Sequence, residues 1–312
     1  MRVPQLTPRA FRRLTLVSLV LLVVVIVTGA AVRLTDSGLG CSDWPRCDPD
    51  DFVSIDSSHQ AIEQLNRLFS GAIGVPIALT IFFAHRRVPR RRDLVVGSWT
   101  MMALFLANAV VGGISVLVEL AWVSVMGHFL LAIALVGVAL TTFRRAGEED
   151  GPRASVVSAR THALARAVYA GTVWVLVAGT LVTAAGPHGG DERAERLAWP
   201  ITDAARVHAV SVDVLVAVVL VLVALLVRDR APRPVLVTAS FALGAMVAQG
   251  VLGYVQYFNA IPEILVAFHV AGAVLVFSSV HWLLLSMREV VGRRSPDPPD
   301  VQMRTGTVLP VG

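Results

Sequence analysis

The chain reads as an all-α integral membrane protein, with eight transmembrane helices arranged as two pseudo-symmetric four-helix bundles. Three observations predict this. Composition comes first: 55% of the 312 residues are hydrophobic and 16% charged, with a mean hydropathy of +0.69, which suits a chain dissolved in lipid. Second, eight apolar stretches are each long enough to cross a hydrocarbon core of roughly 30 Å as helices of about 20 residues. Third, the chain repeats itself. Asn66 and His128 are matched by His208 and His269 at offsets of 142 and 141 residues, and Ala107-Asn108-Ala109-Val110-Val111-Gly112 is matched by Ala248-Gln249-Gly250-Val251-Leu252-Gly253.

The first stretch, 12–33, has the look of a signal peptide or a retained helix. It runs straight into Gly29-Ala30-Ala31-Val32-Arg33, whose counterpart is Gly179-Thr180-Leu181-Val182-Thr183, so it is read as retained. The second, 61–83, carries Glu63, Asn66 and Arg67. The third, 94–117, holds the first copy of the repeated flank, and the fourth, 122–143, carries His128. A polar connection follows, with Arg144-Arg145 and Glu148-Glu149-Asp150-Gly151-Pro152. It is the natural linker, dividing the chain into 1–143, a linker 144–161 and 162–287. The second unit contains 162–183, 204–227 with His208 and Asp213, 235–258 with the second flank, and 263–287 with His269. Residues 288–312 are expected to form a disordered tail. Four helices per half is an even number, so both halves enter from one side and the repeat is parallel rather than inverted.

Charge predicts orientation. All 27 basic residues are arginine, and most lie in the amino-terminal tail, the loops after the second, fourth and sixth stretches, and the carboxy-terminal tail. The opposite loops carry the acids, Asp36, Asp43, Asp48, Asp50, Asp51 and Asp56 in one and Asp191, Glu192, Glu195 and Asp203 in the other. Both termini are therefore expected in the cytoplasm of a multi-pass plasma-membrane protein. The net charge of +5 reports this topology and contact with anionic lipid, not nucleic acid.

Polar residues inside lipid-spanning helices should face the interior of a bundle. Asn66, His128, His208 and His269 fall near the start of helices two, four, six and eight, so all four share one level close to the acidic side. In the second half, two neutral imidazoles facing across the interior can hold haem iron axially, with Ala209, Ala267, Ala271 and Gly272 leaving room for a flat macrocycle. Either histidine alone reads equally as a hydrogen-bonded structural residue; the matched pair does not. The first half keeps His128, but an amide such as Asn66 is a poor haem ligand. His59, Glu63 and Asn66 line one helix face with Arg67 beside them. There an acid and an arginine can take part in chemistry or anchor a haem propionate, or simply cap the helix as interfacial groups. His59 is a less favoured substitute ligand. The only cysteines, Cys41 and Cys47, share one loop, Cys41-Ser42-Asp43-Trp44-Pro45-Arg46-Cys47, on the side expected to be oxidising. They can form a structural disulfide or a redox-active pair.

Taken in order, Gly38-Leu39-Gly40-Cys41-Ser42-Asp43-Trp44-Pro45-Arg46-Cys47, Glu63-Gln64-Leu65-Asn66-Arg67, Gly127-His128, Gly186-Pro187-His188-Gly189-Gly190-Asp191, His208 and His269 closely resemble the haem A synthase family over nearly the whole chain. The resemblance implies a resident haem b held by His208 and His269, and a substrate site for haem O in the first half. It also implies oxidation of the haem O C8 methyl group to the formyl group of haem A, the cofactor of terminal oxidases. Glu63 and His128 would then be catalytic, with His128 a ligand to the substrate iron. A haem O synthase, oxidase assembly factors and a second copy of the chain become candidate partners. Asn66 departs from the histidine of many relatives and resembles a subgroup with asparagine there. Two other readings compete: a bis-histidine b-type cytochrome that only passes electrons, which predicts two equivalent sites, and a haem-binding transporter or scaffold, for which Asp213 is the only deep acid.

Overall fold

The structure, a computed structural model, describes residues 6–291; most of the tail expected from 288 lies outside the described residues. The described chain is mostly helical, and eight of its helical segments are long and apolar enough to cross a membrane. This is a multi-pass membrane protein. Its helices are α1 (Pro8–Leu34), α2 (Ser58–Ala72), α3 (Gly74–Arg86), α4 (Arg92–Leu117), α5 (Trp122–Ala146), α6 (Ala159–Ala185), α7 (Ile201–Arg228), α8 (Arg233–Phe258) and α9 (Glu263–Ser286).

Local chemistry sets the helix starts. Thr7 accepts from the Ala10 amide ahead of Pro8, and Ser57 and Gln60 form a reciprocal capping box on α2. The second expected span is two helices, not one. They break at Ile73 because Pro76 has no amide to give the Ala72 carbonyl one turn back and its ring crowds that carbonyl.

In the first half α1 packs on α3 and α5, α3 on α4, and α4 on α5; in the second α6, α7, α8 and α9 close on one another in turn. Each half thus closes into a ring of neighbours, compatible with two four-helix bundles. The halves meet through α1, α5, α6 and α9, whose Leu22, Ile26, Val136, Leu176, Val274 and Phe277 share one buried cluster. A polar contact crosses the same seam, where the Thr141 hydroxyl lies 2.7 Å from Nε2 of His281. On the outer faces Val20, Leu79, Leu106, Val214, Val221 and Val251 are exposed, an apolar surface of the kind that lipid covers.

At the arginine-rich end, Arg91 is 1% exposed and pairs with Asp93 at 2.7 Å while its guanidinium also donates to the Glu148 carbonyl. The linker is less irregular than its composition suggests. Its Arg153–Ser155 strand, β1, pairs antiparallel with β2 (Arg288–Val290), so the first residues of the expected disordered tail are a strand tying the end of α9 to the linker.

Candidate functional site

The four matched residues fall at similar places along their helices: Asn66 is the ninth residue of α2, and His128, His208 and His269 are the seventh, eighth and seventh of α5, α7 and α9. Each faces a glycine near the end of the preceding long helix. A Cβ on Gly112 would lie 2.8 Å from Cε1 of His128, and one on Gly179 or Gly253 would lie 3.1 Å from Cε1 of His208 or His269. Gly29 has Asn66 Nδ2 at 4.0 Å. These glycines let a ring enter the space a side chain would fill. They were visible in the sequence only as repeated flanks, not as seats for the rings.

The halves then diverge. In the second, the imidazoles of His208 and His269 face each other with centroids 6.4 Å apart and planes at 70°. Nδ1 of His269 is buried without a hydrogen-bond partner, and the His208 ring turns toward the Val175 carbonyl. That separation leaves a gap that one metal ion bonded at about 2 Å to each ring would fill. Among the described residues no group of three or more His, Cys, Asp or Glu can hold a metal ion. A metal between these two rings must therefore bring its other donors with it, as a macrocycle does.

In the first half, Nδ1 of His128 donates to the Asn108 carbonyl at 3.1 Å, which leaves the Nε2 lone pair free for a metal. Asn66 is not its counterpart in chemistry. Its Oδ1 accepts from the Thr28 hydroxyl at 2.8 Å, tying α2 to α1 beside Gly29. His59 is likewise engaged, with Nδ1 3.0 Å from the Ser37 hydroxyl.

The cysteine loop roofs this half. Cys41 and Cys47 are both fully buried with their sulfurs 2.07 Å apart, a disulfide. Glu63, 5% exposed, accepts from the Cys41 amide at 2.8 Å through Oε2 and from Arg67 at 2.6 and 3.0 Å through Oε1. Arg67 Nη1 donates to the Asp43 and Arg46 carbonyls at 2.8 and 3.0 Å. The pair thus clamps the loop to α2. Trp44, held in this loop, lies flat on α4 where a Gly113 Cβ would meet the indole at 2.4 Å, one residue from the His128 seat. Nothing in the sequence spacing pointed to Trp44 as a cover.

A disulfide closing so short a loop stabilises it by about 2 kcal/mol. Reduction should accordingly raise hydrogen exchange across 41–57 while leaving α7 and α9 protected; unchanged exchange in the loop would show that the clamp alone holds it.

The loop between α6 and α7 covers the second half. His188 Nε2 donates to the Ile261 carbonyl at 2.8 Å, at the turn that starts α9. The Arg193 hydrogen bond holds the Asp191 carboxyl below the usual carboxylate range. Its contribution to loop stability is present at neutral pH and lost as pH falls through that lowered value.

Two halves of a multi-pass membrane protein, each carrying a glycine-seated imidazole but only one a facing pair, define a helical scaffold whose halves are inequivalent. The chain belongs to the COX15-CtaA family, described as cytochrome oxidase assembly protein, whose model matches residues 12–64 and 52–187. It is also similar to three curated proteins named heme A synthase. The one from Lysinibacillus sphaericus is 28% identical over 123 residues, 39% of this chain and 38% of that protein. The one from Geobacillus thermodenitrificans is 30% identical over 135 residues, covering 41% and 42%. That from Halalkalibacterium halodurans is 26% identical over 164 residues, covering 52% and 55%. The matched segment thus spans roughly two fifths to just over half of these relatives' length.

Proposed function

We propose that this protein is a haem A synthase, oxidising the C8 methyl group of haem O to a formyl group. The observation that carries this reading is the inequivalence of the two halves: His208 and His269 face each other, whereas His128 faces a half in which Asn66 is bound to Thr28. An electron-carrying cytochrome calls for two like sites, an enzyme for one cofactor site and one substrate site. The named relatives and the family support the second.

In this reading His208 and His269 hold a resident haem b, which supplies one-electron redox chemistry when bound. His128 Nε2 binds the iron of haem O, with Nδ1 fixed on the Asn108 carbonyl so that the ring keeps one tautomer. The face opposite His128 has no matched imidazole and is left for the oxidant. Trp44 and the disulfide loop keep bulk water from the reacting edge. Glu63 brings a buried negative charge to that edge and holds the roof through Cys41 and Arg67. The acidic end faces the oxidising side of the plasma membrane and the arginine-rich end the cytoplasm. A haem O synthase upstream and a terminal oxidase downstream are the partners this chemistry requires.

Extraction and identification of the haems in the purified protein test the reading. Haem O or haem A beside haem b is expected; haem b alone in both halves would decide for a cytochrome.

The glycine seats carry a further expectation. Gly179→Val or Gly253→Val should displace the imidazole it faces and reduce haem occupancy of the second half at least tenfold. Gly244→Ala, where a Cβ meets nothing within 4 Å, should leave occupancy unchanged. Equal occupancy in all three, measured by haem-to-protein absorbance, would remove the seats from the site.

A further inference from the structure

Two arginines near the first-half site have no carboxylate partner. Arg33 closes the last turn of α1, four residues after Gly29 and so on the same face, the face that Gly29 turns to Asn66. It is half-buried, and among the described residues its guanidinium makes no hydrogen bond and no ion pair. Gly190 of the α6–α7 loop packs on its stem: a Cβ there would lie 3.1 Å from Arg33 Cγ and 3.2 Å from Leu120, and a φ of +100° lets the glycine take this position. The same loop brings in Arg196, also half-buried. Its positive charge repels that of Arg33, and its guanidinium donates to the Pro187 carbonyl and lies against Gly189. Asp36 is the one acid acting on Arg196, and it is exposed; Asp191 is held by Arg193.

Two like charges brought together at half-buried positions repel each other unless an anion lies between them. Arg67, the arginine that the sequence offers as an anchor, already binds Glu63 and two carbonyls. Arg33 lies one turn, about 6 Å, beyond Gly29 toward the acidic end. A macrocycle bound at the His128 level with its carboxylates toward the acidic end would bring them to this turn. Thr183 stands at the matching position of the second half, so the feature belongs to the substrate half alone.

We propose that Arg33 and Arg196 together bind a propionate carboxylate of the substrate porphyrin, so that a loop from the cofactor half completes the substrate site. This rests on the reading of the first half as the haem O site. It makes substrate orientation depend on both halves: the carboxylate would be clamped from α1 on one side and from the α6–α7 loop on the other. Charge-assisted hydrogen bonds to a carboxylate are strong enough for the loss of either arginine to weaken binding about tenfold.

The test is a binding titration of the purified protein, with its second-half haem in place, using haem O and haem O dimethyl ester. Wild type should prefer the free acid at least tenfold. Arg33→Gln and Arg196→Gln should each bring that ratio toward one, Arg33→Lys should retain most of it, and Arg228→Gln, at the exposed far end of α7, should leave it unchanged. An intact second-half spectrum in each variant confirms the fold. An unaltered ratio in Arg33→Gln and Arg196→Gln overturns the proposal. So does loss of co-purifying anionic phospholipid from these variants with the ratio unaltered, which would assign the arginine pair to a lipid phosphate. Failure of wild type to bind either compound, with no change on His128→Ala, would instead overturn the haem O reading of the first half.

Discussion

Replacing His208 or His269 with alanine should abolish the low-spin, bis-imidazole absorption of the haem proposed for the second half. The expectation follows from how few donors the second half offers. The two rings face each other at 6.4 Å, and no third histidine, cysteine or carboxylate among the described residues gathers with them. Removing one ring leaves a haem with a single protein ligand, and Gly179 or Gly253 then faces a void instead of an imidazole. The variant should also melt at lower temperature, because a ligand present at a thousand times its Kd contributes about 4 kcal/mol to the folded state. Visible spectra of both variants check the point. A bis-imidazole spectrum surviving in each would remove the pair from the cofactor site.

Glu63→Gln should stop conversion of haem O to haem A while leaving the second-half spectrum intact. Glutamine keeps the size of the side chain and can still accept from the Cys41 amide, but the negative charge opposite Arg67 is gone. Breaking a buried ion pair by removing one partner costs about 3–5 kcal/mol when the remaining charge has no other partner. Here Arg67 is 17% exposed and keeps two carbonyl acceptors, so the loss should fall below that range. Stability alone therefore does not account for a complete loss of turnover. If Glu63 acts only by holding the roof, hydrogen exchange across 41–47 should rise and activity should fall in step with it, with an unchanged pH profile. If its charge also serves the reaction, the pH dependence of turnover should change while the loop stays protected. Normal haem A yield from both Glu63→Gln and His128→Ala would sink the assignment of the first half as the reactive site.

Much of this protein is local in origin and therefore visible along the chain. A helix rises by a fixed length per residue and the hydrocarbon core has a fixed thickness, so apolar length alone marks the spans. The same arithmetic places Asn66, His128, His208 and His269 at one depth. Glu63 and Arg67, four residues apart on one helix, are already an ion pair in the making, and Pro76 marks the break at Ile73 to a reader who weighs its missing amide.

Contacts between helices obey no such period, because they depend on which side chains meet across a gap in space. That Gly112, Gly179 and Gly253 seat imidazoles required the crossing of α4 on α5, α6 on α7 and α8 on α9. That Trp44 covers the His128 site required the cysteine loop to fold back onto α2 and α4. The sequence places Arg67 one turn from Glu63, but only the folded loop brings the Asp43 and Arg46 carbonyls to it, while Arg33, unremarkable at the end of a helix, is left without a partner beside Arg196. The sequence by itself determined the membrane-spanning helices, their repeat and the depth of the four polar residues, since these follow from composition and rise per residue. The tertiary structure decided which of those residues face each other and which charges are satisfied, since hydrogen bonds and ion pairs act over a few ångströms between segments far apart in the chain.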